Sequence, residues 1–287
     1  MSSFPGASRA PSPLPRPVQN GSGPSSQWNY WRSESDHVDN LVVLHGLGGD
    51  HEGSREIISG VRGMNIIAPD LPGYGASAPL PVPHTLENYA AALDKFRTDL
   101  GLDEFHLVGH SLGASIALVY AGLYGAGLKS LCLLNPVSVA DGFTATLGKL
   151  YYRIGAILPR RLGREWLTSR PAIYLSNSLI IKTRDAARRR WILEQDYRNY
   201  RRANIPAMVE SFLSYYETPF AEHAAHVTAR TLLVTGDKDG IAPPDSVTRL
   251  HNTMQSSRLE IVAGAGHLLP MEHPADTGAI LNDFLNA

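Results

Sequence analysis

Four short runs of this chain are continuously apolar, each closing on a turn that carries glycine, aspartate or asparagine: LVVLHG, MNIIAPD, FHLVGHS and SLCLLNP; the same alternation of runs with helical patterns returns at RTLLVTGDKDG and LEIVAGAGH. A strand with one solvent face alternates apolar and polar residues, so unbroken runs signify strands covered on both faces. Between the second and third runs, TLENYAAALDKFRTDLG sets Leu86, Tyr89, Leu93, Phe96 and Leu100 at three- and four-residue intervals. That is an amphipathic helix, begun by Thr85 and stopped by Gly101. Buried strands separated by helices predict an α/β fold with a doubly wound, mostly parallel sheet.

Order is expected to begin near QWNYWRS, where Trp28 and Tyr30 fall on one side of an alternating strand and Asn29 and Trp31 on the other. The first 26 residues hold six of the chain's 20 prolines and no apolar core of the kind a secretory signal carries. They read as a disordered leader on a cytoplasmic protein. Residues 27–136 and 227–287 read as two parts of one core, and residues 137–226 as an inserted helical cap with 14 Lys and Arg against 8 Asp and Glu. A single cysteine, Cys132, excludes an internal disulfide framework and reads as a small core residue. No apolar stretch approaches the roughly 20 residues of a membrane helix, and a formal charge of −1 gives no reason to expect a nucleic-acid partner.

The stretch FHLVGHSLGASIALVYAGLYG carries the chemistry. Its strand must end near Gly109 and its helix begin near Leu112, because Ile116, Val119 and Tyr120 then follow at helical spacing. A reversal this tight strains the backbone of the central residue and admits only very small neighbours, hence Gly109 and Gly113 around Ser111. The hydroxyl is thereby held clear of the sheet edge, at the positive end of the new helix. The bland reading is a small residue in a turn.

A serine hydroxyl is a poor nucleophile near neutral pH; it needs a base within reach and a carboxylate to orient that base. GAGHLLPMEHP supplies His267 just after the last strand, whereas His273, beside Pro274, reads as a surface or capping histidine. LLVTGDKDGIAPP supplies Asp239, three residues after a strand-ending glycine and 28 before His267. Asp237 and Asp245 read as turn and helix-start residues. An earlier strand end that could carry the acid, LLNPVSVAD, has Asn135 instead, and an asparagine cannot stabilise an imidazolium. His45 and His110 read as hydrogen-bonded scaffold histidines. The histidines and carboxylates lack a zinc-like spacing, so neither metal nor cofactor is expected.

Serine, aspartate and histidine in that order, each after a strand, resemble the α/β-hydrolase family over roughly residues 27–287. The likeness extends to HGLGGD and DLPGYGAS, landmarks of the lipase, esterase and C–C hydrolase branches. This resemblance implies an oxyanion hole at the backbone N–H groups of Leu47 and Leu112, and cleavage of a carboxylic ester or related acyl compound. HSLGA looks more like the esterase and lipase branch; a C–C bond hydrolase and a ligand-binding receptor on the same scaffold are the alternatives. Epoxide hydrolases and haloalkane dehalogenases carry an aspartate where Ser111 stands. Twelve of the 23 aromatic residues fall in residues 137–226, which suggests an apolar or aromatic small-molecule substrate. The basic runs TRDAARRRW and YRNYRR read as a solvated helix face, an anion-binding rim or a membrane-facing surface.

Overall fold

The computed structural model describes residues 28–33, 37–138 and 142–287; the leader expected over residues 1–26 lies outside them. Seven strands form one sheet: β1 (Tyr30–Arg32), β2 (Asn40–Leu44), β3 (Asn65–Pro69), β4 (Phe105–His110), β5 (Leu128–Leu134), β6 (Arg230–Gly236) and β7 (Ser257–Val262). Their order is β1-β3-β2-β4-β5-β6-β7. All neighbours run parallel except β1 with β3. The doubly wound sheet expected from the unbroken runs is present, with a short antiparallel strand on one edge.

Each apolar run is divided between two layers. Val42, Leu44, Leu107, Leu131 and Leu233 enter one buried cluster, whereas Leu41, Val43, Val108, Cys132 and Leu232 enter the other. Successive side chains of a strand point to opposite faces, so a run apolar at every position is required once helices cover both. The first layer holds α2 (Leu86–Asp99) and α3 (Leu112–Tyr124); the second holds α1 (Ser54–Ile58) and, after β7, α11 (Leu269–Glu272) and α12 (Pro274–Leu285). Thr85 caps α2 by accepting from the Asn88 N–H at 3.2 Å. Gly101 ends the segment at φ +66°, where a side chain would be strained.

From β2 the chain moves outward to β3 and then crosses back to β4 on the other side of β2. Strand order reverses there, and the loops leaving the carboxyl ends of β2 and β4 diverge and open a crevice. Helices α4 (Gly142–Ile157), α5 (Arg160–Thr168), α6 (Arg170–Ile180), α7 (Ala186–Arg202), α8 (Ile205–Ser214) and α9 (Phe220–His226) lie between β5 and β6, and α10 (Pro244–Thr253) follows β6. Helices α4 to α8 pack chiefly on one another, but α9 returns to the sheet layer against α3. A Cβ on Gly122 of α3 would lie 2.6 Å from the His223 carbonyl oxygen. Helix α9 is thus packed on the same layer as α3.

The turn into α3 is held by backbone on every side. A Cβ on Gly109 would come within 2.3 Å of the Gly113 carbonyl oxygen, and one on Gly113 within 2.4 Å of the Leu44 carbonyl oxygen. Backbone cannot move aside as a flexible side chain can. Gly113→Ala is accordingly expected to destabilise the fold by about 3 kcal/mol, read as a lowered urea midpoint with an unchanged m-value.

Candidate active site

Ser111 stands between β4 and α3 with φ 52° and ψ −114°, a conformation that costs a non-glycine residue about 1–3 kcal/mol. Two hydrogen bonds hold it: its N–H donates to the Leu134 carbonyl at 2.9 Å, and its carbonyl accepts from the Ser115 N–H at 3.0 Å. The loop after β7 brings His267 over the same crevice. Gly236 lets that loop approach β6, since a Cβ there would lie 2.2 Å from the Ala265 carbonyl oxygen. Asp239 sits in the turn after β6, its N–H bonded to the Gly236 carbonyl at 3.1 Å.

These three residues, read from separate loops of the sequence, are brought into one hydrogen-bonded file. Ser111 Oγ lies 2.8 Å from His267 Nε2. His267 Nδ1 lies 2.9 Å from Asp239 Oδ2 and 3.1 Å from Oδ1. All three are buried. Asp239 also accepts from the Ile241 and Ala242 N–H groups at 2.8 and 2.9 Å, and from Asn135 Nδ2 at 2.8 Å. Burial pushes its carboxyl up, but the facing imidazole and these donors outweigh burial and hold it well below the usual carboxylate range.

Leu112 is the first residue of α3, so its N–H has no acceptor within the helix. The HGLGG loop passes directly beside the serine, because a Cβ on Gly46 would lie 3.4 Å from Ser111 Cβ. His45 pins that loop: its Nδ1 donates to the Gly46 carbonyl at 2.8 Å and its Nε2 accepts from the Leu71 N–H at 2.9 Å. Asp70 ties the neighbouring DLPGYG turn down, accepting from the His51 and Ala76 N–H groups. Asp237 accepts from the Gly264 N–H at 2.7 Å, and His273 lies 3.3 Å from Asp276 at the start of α12. Both are away from the file.

Phenols line the side facing the helical insert. The Tyr200 ring lies on Gly48, so close that a Cβ there would sit 2.3 Å from it. Tyr74 shares a hydrogen bond with Ser211 at 2.9 Å, and Tyr152 stacks on Phe212 with ring centres 3.9 Å apart. The Tyr215 hydroxyl lies beside those of Ser115 and Ser111. Burial pushes the Tyr74, Tyr152 and Tyr215 phenols well up, which keeps them neutral donors. Two neighbours of the file were given no part in it by the sequence reading. No local signal marks Tyr215. Asn135 has one, its place at the end of the SLCLLNP run, but its donation to Asp239 depends on how β5 and β6 align.

His110 donates from Nε2 to the His267 carbonyl at 2.9 Å and so positions the loop that carries the ring. Burial, reinforced by the nearby His267, pulls its imidazole down to about 4, against about 6.5 in an unfolded chain. Between these values the unfolded chain binds a proton that the native protein refuses. This residue therefore withdraws stability as pH falls from about 6.5 to 4, by about 3 kcal/mol in all. His110→Gln keeps a donor for the carbonyl and is expected to lose less stability than wild type between pH 7 and pH 5, by urea unfolding at each pH.

The sequence profile of the alpha/beta hydrolase fold matches residues 39–274. The chain belongs to the alpha/beta hydrolase fold family. This hydrolase is 27% identical over 227 residues to N-formylmaleamate deformylase of Pseudomonas putida, covering 78% of this chain and 75% of that protein. It is 26% identical over 269 residues to Lipase 3 of a Moraxella species, covering 88% and 78%. Its fold matches a thermophilic esterase from Thermogutta terrifontis with a TM-score of 0.75 at 23% identity, over 90% of this chain and 93% of the esterase.

Proposed function

We propose that this hydrolase cleaves a carboxylic ester, or a related acyl compound, through an acyl-enzyme on Ser111. The observation that carries this reading is the file from Ser111 Oγ through both ring nitrogens of His267 to Asp239. A carboxylate can only accept, so the ring proton resides on Nδ1 and the Nε2 lone pair faces the serine hydroxyl. Neutral His267 takes the proton as Oγ attacks the carbonyl carbon. Negative charge moves to the carbonyl oxygen, where the N–H groups of Leu47 and Leu112 receive it, each worth about 3–4 kcal/mol in such a site. The imidazolium, faced by Asp239, returns its proton to the leaving alcohol, and water activated by the same ring releases the acid.

Helices α4 to α8 act as the cap in this reading. Their aromatic residues, together with Tyr74, favour an apolar or aromatic acyl or alcohol group between cap and sheet. A lipase among the relatives and an esterase among the related folds agree with ester chemistry. The test is a panel of esters and thioesters graded by acyl size, with a vinylogous diketone and a fluorophosphonate probe alongside. Ester turnover with probe attachment at Ser111 is expected. Faster cleavage of the diketone than of any ester would replace the reading by C–C hydrolysis, and folded protein that neither turns over nor labels would replace it by ligand binding.

A further inference from the structure

Eleven large apolar side chains stand well exposed among the described residues, and six of them fall in the single stretch from α4 to α6: Leu147 (50%), Leu150 (55%), Ile157 (82%), Leu162 (59%), Trp166 (41%) and Leu175 (69%). Leu147, Leu150 and Ile157 share one face of α4 with Arg153, opposite Tyr152, whose ring turns inward to stack on Phe212. Leu162 and Trp166 are one turn apart on α5. The two helices meet closely, since a Cβ on Gly163 would lie 2.3 Å from the Gly155 carbonyl oxygen. Trp166 is fixed against α4: its Nε1 donates to the Tyr151 carbonyl at 3.0 Å, and the Tyr151 hydroxyl donates to the Trp166 carbonyl at 2.8 Å. The indole thus has its polar atom satisfied by protein and presents carbon outward.

Charge along this stretch is mainly positive. From residue 147 to 175 the chain carries Lys149, Arg153, Arg160, Arg161, Arg164 and Arg170 against one acid, Glu165. Arg170 pairs with Glu194, and Glu165 is taken by Arg201. Arg153, Arg160 and Arg161 are exposed and pair with no carboxylate among the described residues. Exposed apolar side chains in a stretch that also carries unpaired cations suit the boundary between anionic headgroups and acyl chains. A second copy fits poorly, because a two-fold contact would set this cationic face against itself. Residues 1–27 fit no better, as they contain Arg9 and Arg16 and no acidic residue.

The geometry points to a lipid-docking face: the outward side of α4 and α5, with Leu175 of α6, rests on a membrane surface bearing anionic lipids, with Trp166 at the acyl boundary. The contact is peripheral, since no helix among the described residues is long and apolar enough to cross a membrane. It places the cap, rather than the opposite side of the sheet, against the bilayer.

The test is co-sedimentation of the full chain with phosphatidylcholine vesicles and with vesicles of equal phosphatidylcholine and phosphatidylglycerol. Binding only to the anionic vesicles, weakening with salt, is expected. The double variant Arg160→Ala, Arg161→Ala should bind roughly 30-fold more weakly, and Leu150→Ser with Leu162→Ser should also lose binding. Both should keep the wild-type circular dichroism and turnover of a short soluble ester, and Arg249→Ala on α10 should bind as wild type does. Absence of vesicle binding, equal binding to both vesicle types, or wild-type binding by either double variant would overturn the proposal. So would a concentration-dependent dimer that Leu150→Ser dissociates, in protein that ignores vesicles.

Discussion

Ser111→Ala is expected to lower ester turnover roughly a million-fold and to abolish fluorophosphonate attachment, while the protein stays folded. Alanine lacks the hydroxyl that attacks in the proposed reaction, and the lone pair of His267 Nε2, 2.8 Å from that oxygen in the wild type, then has no proton to take. The backbone at φ 52° suits alanine no better than serine, so unfolding free energy should change by less than about 1 kcal/mol. Loss of activity without loss of stability separates chemistry from structure. His267→Ala should cost about as much, and the double variant hardly more than either single one, because the two side chains act as a unit. A Ser111→Ala protein retaining a tenth of the wild-type kcat would remove this serine from the reaction.

Asp239→Asn is the second large effect, with kcat expected to fall about 10,000-fold. The amide is nearly the same size, and the site can receive it. Its oxygen can still accept from the Ile241 and Ala242 N–H groups. Asn135 can turn its amide over: its own Oδ1 has no partner among the described residues, so the turn gives up only the longer 3.3 Å donation to the Gly266 carbonyl. The remaining NH2 then faces His267 Nδ1, which must accept instead of donate. That moves the ring proton to Nε2, so His267 can no longer accept from Ser111. Nitrogen chemical shifts of the imidazole would show the changed tautomer directly. A stability signature accompanies it. The wild-type carboxyl titrates below its unfolded value, so its contribution is present above about pH 4 and is lost as pH falls through the lower native value. The asparagine variant should lack this portion of the acid sensitivity.

Much of the fold is legible because it is local. A run such as LVVL has to be covered on both faces, and Gly109 and Gly113 tolerate no Cβ, so neighbouring residues alone imply a buried strand and a tight turn into a helix. The Thr85 cap and the Gly101 stop of α2 are of the same kind. The direction of β1 is not, since three alternating residues suit a parallel or an antiparallel edge equally. Nor is the return of α9 to α3, which depends on Gly122 meeting the His223 backbone about a hundred residues later. His110 could be read as a scaffold residue, but its acceptor, the His267 carbonyl, lies 157 residues away.

The sequence by itself determined the layered α/β architecture, the strained turn at Ser111 and the choice of Asp239 and His267 as its candidate partners. The first two follow from residue types within a few positions of one another, and the third adds the order of serine, aspartate and histidine along the chain, which resembles the α/β-hydrolase family. Only the tertiary structure decided that Asn135 donates to Asp239, that Tyr200 lies on the HGLGG loop and that the apolar sides of α4 and α5 face outward. Those contacts join segments that strand register and helix crossing bring together, and register and crossing arise from packing summed over the whole core, which no single stretch of chain encodes.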